Sequence, residues 1–92
     1  MRLSWPPKDT NEVLDYMVDW SDRLDNDTIA SSAWTVPSGI TEDSNEFDAS
    51  GDTTTIWLSG GTTGETYELV NRITTAAGRT MDQTIRLKIA DK

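Results

Sequence analysis

The sequence predicts an all-β protein, an antiparallel β-sandwich of about seven strands, and three observations predict it. Short apolar-alternating runs recur with turn signals about every ten residues. No stretch sustains a helical apolar pattern over several turns. Two runs, residues 67–75 and 80–90, alternate so regularly that one face of each must be buried. Ninety-two residues make a single domain near the low end of what buries a self-sufficient core. With no Cys there is neither a disulfide nor a thiolate site, so stability rests on packing, to which four Trp contribute most.

The elements follow in order. Residues 1–10 read as an N-terminal arm ahead of a domain spanning 11–92, because Pro6 and Pro7 lack the N–H that a sheet ladder needs. The competing reading is a short first strand with Trp5 tucked onto the end of the domain. Residues 13–24 read as a strand, with Leu14, Tyr16, Val18 and Trp20 on one face and Asp15, Met17, Asp19 and Ser21 on the other. The spacing of Val13, Leu14, Met17 and Trp20 also suits a helix, but Tyr, Val and Trp favour a pleated surface. Residues 22–27 form an acidic turn.

Residues 28–36 make the next strand. Ile29 and Trp34 cannot both face inward on regular pleating, so either a bulge lies among Ala30, Ser31 and Ser32 or one of the two is exposed. Pro37-Ser38-Gly39 ends it. Residues 40–52 are polar and acidic, with room for one short edge strand around 46–49 whose charge discourages stray pairing. Residues 53–59 form a strand in which Ile56 and Leu58 flank Trp57. The last strand, 80–90, sets Met81, Gln83, Ile85, Leu87 and Ile89 against Asp82, Thr84, Arg86 and Lys88. The expected interior is Leu14, Tyr16, Val18, Trp20, Trp34, Val36, Ile56, Leu58, Tyr67, Leu69, Ile73, Ile85, Leu87 and Ile89.

Tyr67 follows Gly64 and opens the strand 67–75. That is the pattern of a tyrosine corner in Ig-like sandwiches, where the ring packs inward and its hydroxyl bonds back to upstream backbone. The alternative is an ordinary strand Tyr at the core edge. Residues 56–78 resemble the end of a fibronectin type III or bacterial Ig-like module, with Leu58, Gly64, Tyr67 and Gly78 in the characteristic places. The usual turn Pro is missing, and Gly60-Gly61 lengthens the turn.

Nearly the whole chain also resembles small phage virion proteins that act as fibre–tail adaptors. The matching stretches are Trp5-Pro6-Pro7-Lys8-Asp9, Leu14-Asp15-Tyr16, Asp19-Trp20-Ser21, Asp27-Thr28-Ile29-Ala30, Trp34-Thr35-Val36-Pro37, Trp57-Leu58-Ser59-Gly60-Gly61 and Asn71-Arg72-Ile73-Thr74-Thr75. The resemblance implies an Ig-like (fibronectin type III-like) fold. It also implies a structural protein of the neck or tail of a bacteriophage, present in several copies, made in the host cytoplasm, with other virion proteins as partners. It implies no catalytic residues and no cofactor.

Composition narrows the chemistry independently. Eight basic against sixteen acidic residues give a net charge of −8, which argues against nucleic acid or anionic membrane as partners. Such charge also predicts weak self-association. There is no His, hence neither the commonest general base nor the commonest zinc ligand. No apolar run approaches the ~18 residues of a membrane span, and no export signal is evident, so a soluble, unexported domain is expected. The run 60–64 lacks the Lys and the following helix of a phosphate-binding loop. Asp25, Asp27, Asp43, Asp48 and Asp52 raise the question of Ca²⁺, but residues 43–47 put Phe47 where an oxygen ligand belongs, and a solvated acidic rim is expected. Asn26-Asp27-Thr28 matches a glycosylation sequon, which means little without export. Glu42-Asp43 would need a cleft to do acid–base work.

No catalytic, cofactor-binding or metal residues are therefore assigned. Pleat alternation sends Trp57 outward, so Trp57 is the expected interface anchor, joined by Trp5 on its arm with Pro6 and Pro7. The competing reading packs Trp57 beneath the 40–52 loop. In function, an adhesive module binding cell-surface glycan is the alternative to an adaptor, and fold analogy is all that favours it.

Overall fold

A computed structural model describes residues 2–91. Seven strands and one helical turn follow one another as β1 (Arg2–Ser4), β2 (Leu14–Asp19), α1 (Ser21–Leu24), β3 (Ile29–Thr35), β4 (Ile40–Asp48), β5 (Thr53–Gly60), β6 (Thr66–Thr75) and β7 (Thr80–Lys88). They build two facing sheets, β1-β7-β6-β3 and β2-β5-β4, antiparallel throughout except where β1 runs parallel to β7. The Ig-like sandwich expected from the sequence is the fold observed.

Alternation explains most of the core. Leu69 and Ile73 of β6, Ile85 and Leu87 of β7, and Ile56 and Leu58 of β5 are all fully buried between the sheets, as is Ile89 just past β7. The bulge in β3 falls between Ile29 and Ser31, which turns both Ile29 and Trp34 toward the core. Trp20 is also fully buried. Its indole N–H donates to Thr54 Oγ1 (3.2 Å) and Asn71 Oδ1 (3.0 Å), and the Thr54 hydroxyl donates to the same Asn71 oxygen (2.6 Å). Asn71 Nδ2 then donates to Ser32 Oγ and the Ala33 carbonyl. This junction ties Thr54 of one sheet to Asn71 of the other and leaves no polar atom of the amide unsatisfied.

Three stretches depart from the expectation. The strand expected over 13–24 stops at Asp19, whose carboxylate accepts the Ser21 N–H at 2.9 Å and opens α1. The chain turns there because Trp20 adopts helical backbone angles, and the turn delivers both Trp20 and Leu24 to the core. Residues 40–48 form a nine-residue strand rather than a short one near 46–49, because pairing with β5 continues along its whole length through a bulge between Glu42 and Ser44. The ladder overrides the poor strand preference of its Asp, Asn and Glu.

The N-terminal residues lie along β7 instead of projecting. Trp5 N–H donates to the Arg86 carbonyl and Lys8 N–H to the Lys88 carbonyl, so Pro6 and Pro7 fall in the gap where no donor is required. Trp5 stacks on Tyr16 with ring centroids 4.7 Å apart, lies 5.9 Å from Trp34, and donates its indole N–H to the Met17 carbonyl. Lys8 is buried, its ammonium donating to the carbonyls of Asp9 and Gly60. That contact anchors the segment to the turn leaving β5.

This turn carries the chain from one sheet to the other. Tyr67 is half-buried, and its hydroxyl accepts the Thr62 N–H at 3.0 Å, the geometry of a tyrosine corner. Gly64 N–H donates to the Ile89 carbonyl at 2.8 Å. Gly61 has φ +97°, and a Cβ there would meet Ile89 at 2.7 Å, so only glycine fits between the turn and β7.

Candidate docking face

The pleat of β5 decides which side chains leave the core. Thr54, Ile56 and Leu58 point inward, and Trp57 between them points out, 39% exposed. In register, Trp57 lies opposite Asp15 on β2 and Ser44 on β4. Met17, two residues along β2 and on the same outer face, is 55% exposed, and Val13, two residues before Asp15, is 54% exposed. Diagonal neighbours across an antiparallel pair lie within reach of long side chains. Met17 and Trp57, two of the four exposed large apolar residues, therefore share one side of one sheet, with a third, Val13, just ahead of β2. The fourth, Phe47, is opposite the buried Thr54 and belongs to the other side of β4.

Carboxylates surround this apolar centre. β2, β4 and β5 together carry Asp15, Asp19, Glu42, Asp43, Glu46 and Asp48 and not one Lys or Arg. Of these, Glu42 is opposite the buried Leu58, whereas Asp43 accepts the Ser59 hydroxyl on the outer side at 2.9 Å. The Ser21 backbone N–H holds Asp19 below the usual carboxylate range, and Asp48, bonded by the Ser50 hydroxyl and the Ser50 and Gly51 amides, is held down likewise. Beneath them the Tyr16 phenol is pushed up to about 12, first by burial and then by the charges of Glu12 and Asp15.

The opposite sheet is different. Its strands carry Arg2, Arg72, Arg86 and Lys88 against Glu68 and Asp82. Arg72 forks onto Asp82 with contacts of 2.8 and 3.0 Å, which lowers the Asp82 pKa. At one end, a groove of about 490 Å³ is lined by Asp19, Asp22, Arg23, Asp82 and Gln83. Arg23 fills part of it, 4.9 Å over the Trp20 ring and donating to the Asp82 carbonyl.

The residues singled out from the sequence therefore separate. Trp57 stands at the centre of the exposed face. Trp5 does not: its side chain is buried, its ring stacks on Tyr16 and its N–H donates to the Met17 carbonyl, so the interface role expected of it is not supported. Pro6 and Pro7 remain exposed on the far side, along β7. The Tyr67 hydroxyl accepts the Thr62 N–H at the corner, while Gly64 bonds the Ile89 carbonyl. Val13 was missed, and Met17 was placed on the outer face without its proximity to Trp57, which depends on the β2–β5 register. The acidic candidates for Ca²⁺ are dispersed: Asp27 braces the β6–β7 hairpin, Asp48 caps its own turn, Asp43 bonds Ser59, and Asp25 and Asp52 occupy positive-φ turn positions. No group of three or more metal-ligating side chains converges among the described residues.

Comparison with known proteins bears on both fold and role. Residues 8–88 match the family model described as podophage GP4 fiber-tail adaptor protein gp77. No curated protein matches the sequence significantly. Among solved structures, that of the PKD domain from KIAA 1837 protein aligns with a TM-score of 0.55 at 17% identity, covering 99% of this chain and 79% of that one. At that identity the likeness concerns the fold alone.

Proposed function

The chain belongs to the podophage GP4 fiber-tail adaptor protein gp77 family, and from that premise we propose that it is a non-enzymatic linker between fibre and tail, present in several copies in the neck or tail region of the particle. Its partners on this reading are other virion proteins, neither nucleic acid nor membrane. The observation that carries the reading is the match over residues 8–88, which takes in six of the seven strands. The outer face of β2-β5-β4 supports it, since a large aromatic side chain left in water on a small acidic domain has no packing reason to be there. Trp57 anchors the contact.

The test is an amber mutant in the gene. Particles grown without the protein should have tails lacking fibres, and adding the purified protein should restore fibre attachment. Fully fibred, infectious particles made in its absence would overturn the proposal.

A further inference from the structure

The exposed Met17 and Trp57, with Val13 just ahead of β2, lie on the outer face of a sheet whose strands contain no cation. We infer that this face docks on a basic surface of a neighbouring virion subunit, one presenting Lys and Arg around an apolar recess that receives Trp57. The inference rests on the adaptor reading and names the partner's chemistry.

Charge complementarity selects that occupant. Asp15, Asp43 and Glu46 neighbour Trp57 on the outer side, and Asp19 and Asp48 lie opposite Thr53 farther along the same face, so any surface placed there meets carboxylates beside the indole. A neutral or acidic partner would have to bury some of these charges without compensation, which is strongly unfavourable. A guanidinium-rich partner gains paired hydrogen bonds and can also stack on the Trp57 face. A second copy of this chain fits poorly. The same face against itself would oppose carboxylates with carboxylates. The opposite face offers Arg72 already forked onto Asp82, with Glu68 among its remaining cations. The chain as a whole carries −8, which opposes its own association.

Steering by this field also has a kinetic consequence. Encounter with a basic partner is accelerated at low salt and slows as ions screen the exposed charges, whose reach is about 10 Å at 0.1 M ionic strength.

The experiment uses adaptor-deficient particles from the amber mutant as the probe, titrated with purified full-length protein at 50 and 500 mM NaCl and read by co-sedimentation. Wild-type protein should bind, with affinity falling about tenfold or more between the two salts. Trp57→Ala should bind about 30-fold more weakly at either salt, the fold-change of a typical hot spot. The triple variant Asp15→Asn, Asp43→Asn, Glu46→Gln should bind more weakly at 50 mM and lose most of the salt dependence. Arg86→Gln with Lys88→Gln, on the opposite face, should bind like wild type. If wild-type protein does not bind these particles, the adaptor reading itself fails. If it binds, but equally at both salts and equally well without Trp57 or the three charges, the adaptor reading stands and this inference is overturned. A stable dimer of the isolated protein that Trp57→Ala abolishes would likewise overturn it, in favour of a second copy as occupant.

Discussion

Trp20 and Trp57 both meet strand β5, one on each of its sides. Trp20 reaches β5 from the core, where its N–H finds Thr54 and Asn71 and where nothing of the residue is exposed. Trp57, three positions along from Thr54 and therefore on the other face, sits among carboxylates and exposed apolar side chains. The same residue type thus does two jobs. Where its polar atom is satisfied inside a two-sheet junction it specifies the fold; where its ring is left in water it is available to a partner. If this division holds, substitutions on the inner side should unfold the domain, and those on the outer side should cost binding alone.

The largest effect belongs to Trp20→Ala. Truncating a buried Trp typically costs about 3–5 kcal/mol, and here the Thr54 hydroxyl and Asn71 carbonyl also lose a partner. Urea titration followed by far-UV circular dichroism should show a loss in that range, large enough to leave so small a domain mostly unfolded. A loss under about 1 kcal/mol would mean that the junction is not structural. Next comes Asn71→Leu, which takes the acceptor from the buried Thr54 hydroxyl, leaves the Trp20 N–H with Thr54 alone, and removes the donor to Ser32 Oγ and the Ala33 carbonyl. Leaving such groups unsatisfied costs about 1–3 kcal/mol, and the same titration checks it.

How far the two sides could be read from sequence depends on how local each signal is. The pleats of β5, β6 and β7 are local, so Ile56, Leu58, Leu69, Ile73, Ile85 and Leu87 could be placed inside and Trp57 outside directly from alternation. β1 could not be read that way. Three residues in parallel register with β7 are stabilised by a strand more than eighty positions away, and Trp5 is buried only because Tyr16 and Trp34 converge on it. β4 was likewise hidden, since its acidic composition speaks against a strand and only the ladder to β5 makes one. The docking face falls between these cases. Trp57 was legible, whereas its grouping with Met17 needed the cross-strand register that sets Asp15 opposite Trp57.

A smaller effect is expected at the corner between the sheets. Tyr67→Phe removes the acceptor for the Thr62 N–H, but the site is half in water, so the loss should be about 0.5–1.5 kcal/mol. Loss of the corner would loosen the passage from β5 to β6 without touching the outer face. Binding to particles should therefore survive this substitution.

Acid should act on the inner frame in a narrower way. The Thr75 hydroxyl, helped by the Thr28 and Ala77 amides and the Arg79 guanidinium, holds Asp27 at about 2, below its ordinary 3.8. The folded pKa is depressed, so the stabilisation is fully present above pH 4 and is lost as pH falls through 2. Thermal unfolding of wild type should weaken over that window, and Asp27→Asn should remove part of the dependence while lowering the melting temperature at pH 7. An unchanged pH profile in Asp27→Asn would show that this brace does not contribute.

The smallest effect on stability, and the one that decides the matter, is that of Trp57→Ala. The measurement is its urea midpoint beside that of wild type, since a side chain on the outer face should change stability by no more than about 0.5–1 kcal/mol. A midpoint close to wild type, with the circular dichroism spectrum of an intact sandwich, is the result expected if β5 divides core from docking face. A loss of about 3 kcal/mol or more, like that of Trp20→Ala, would return Trp57 to the core and contradict the account.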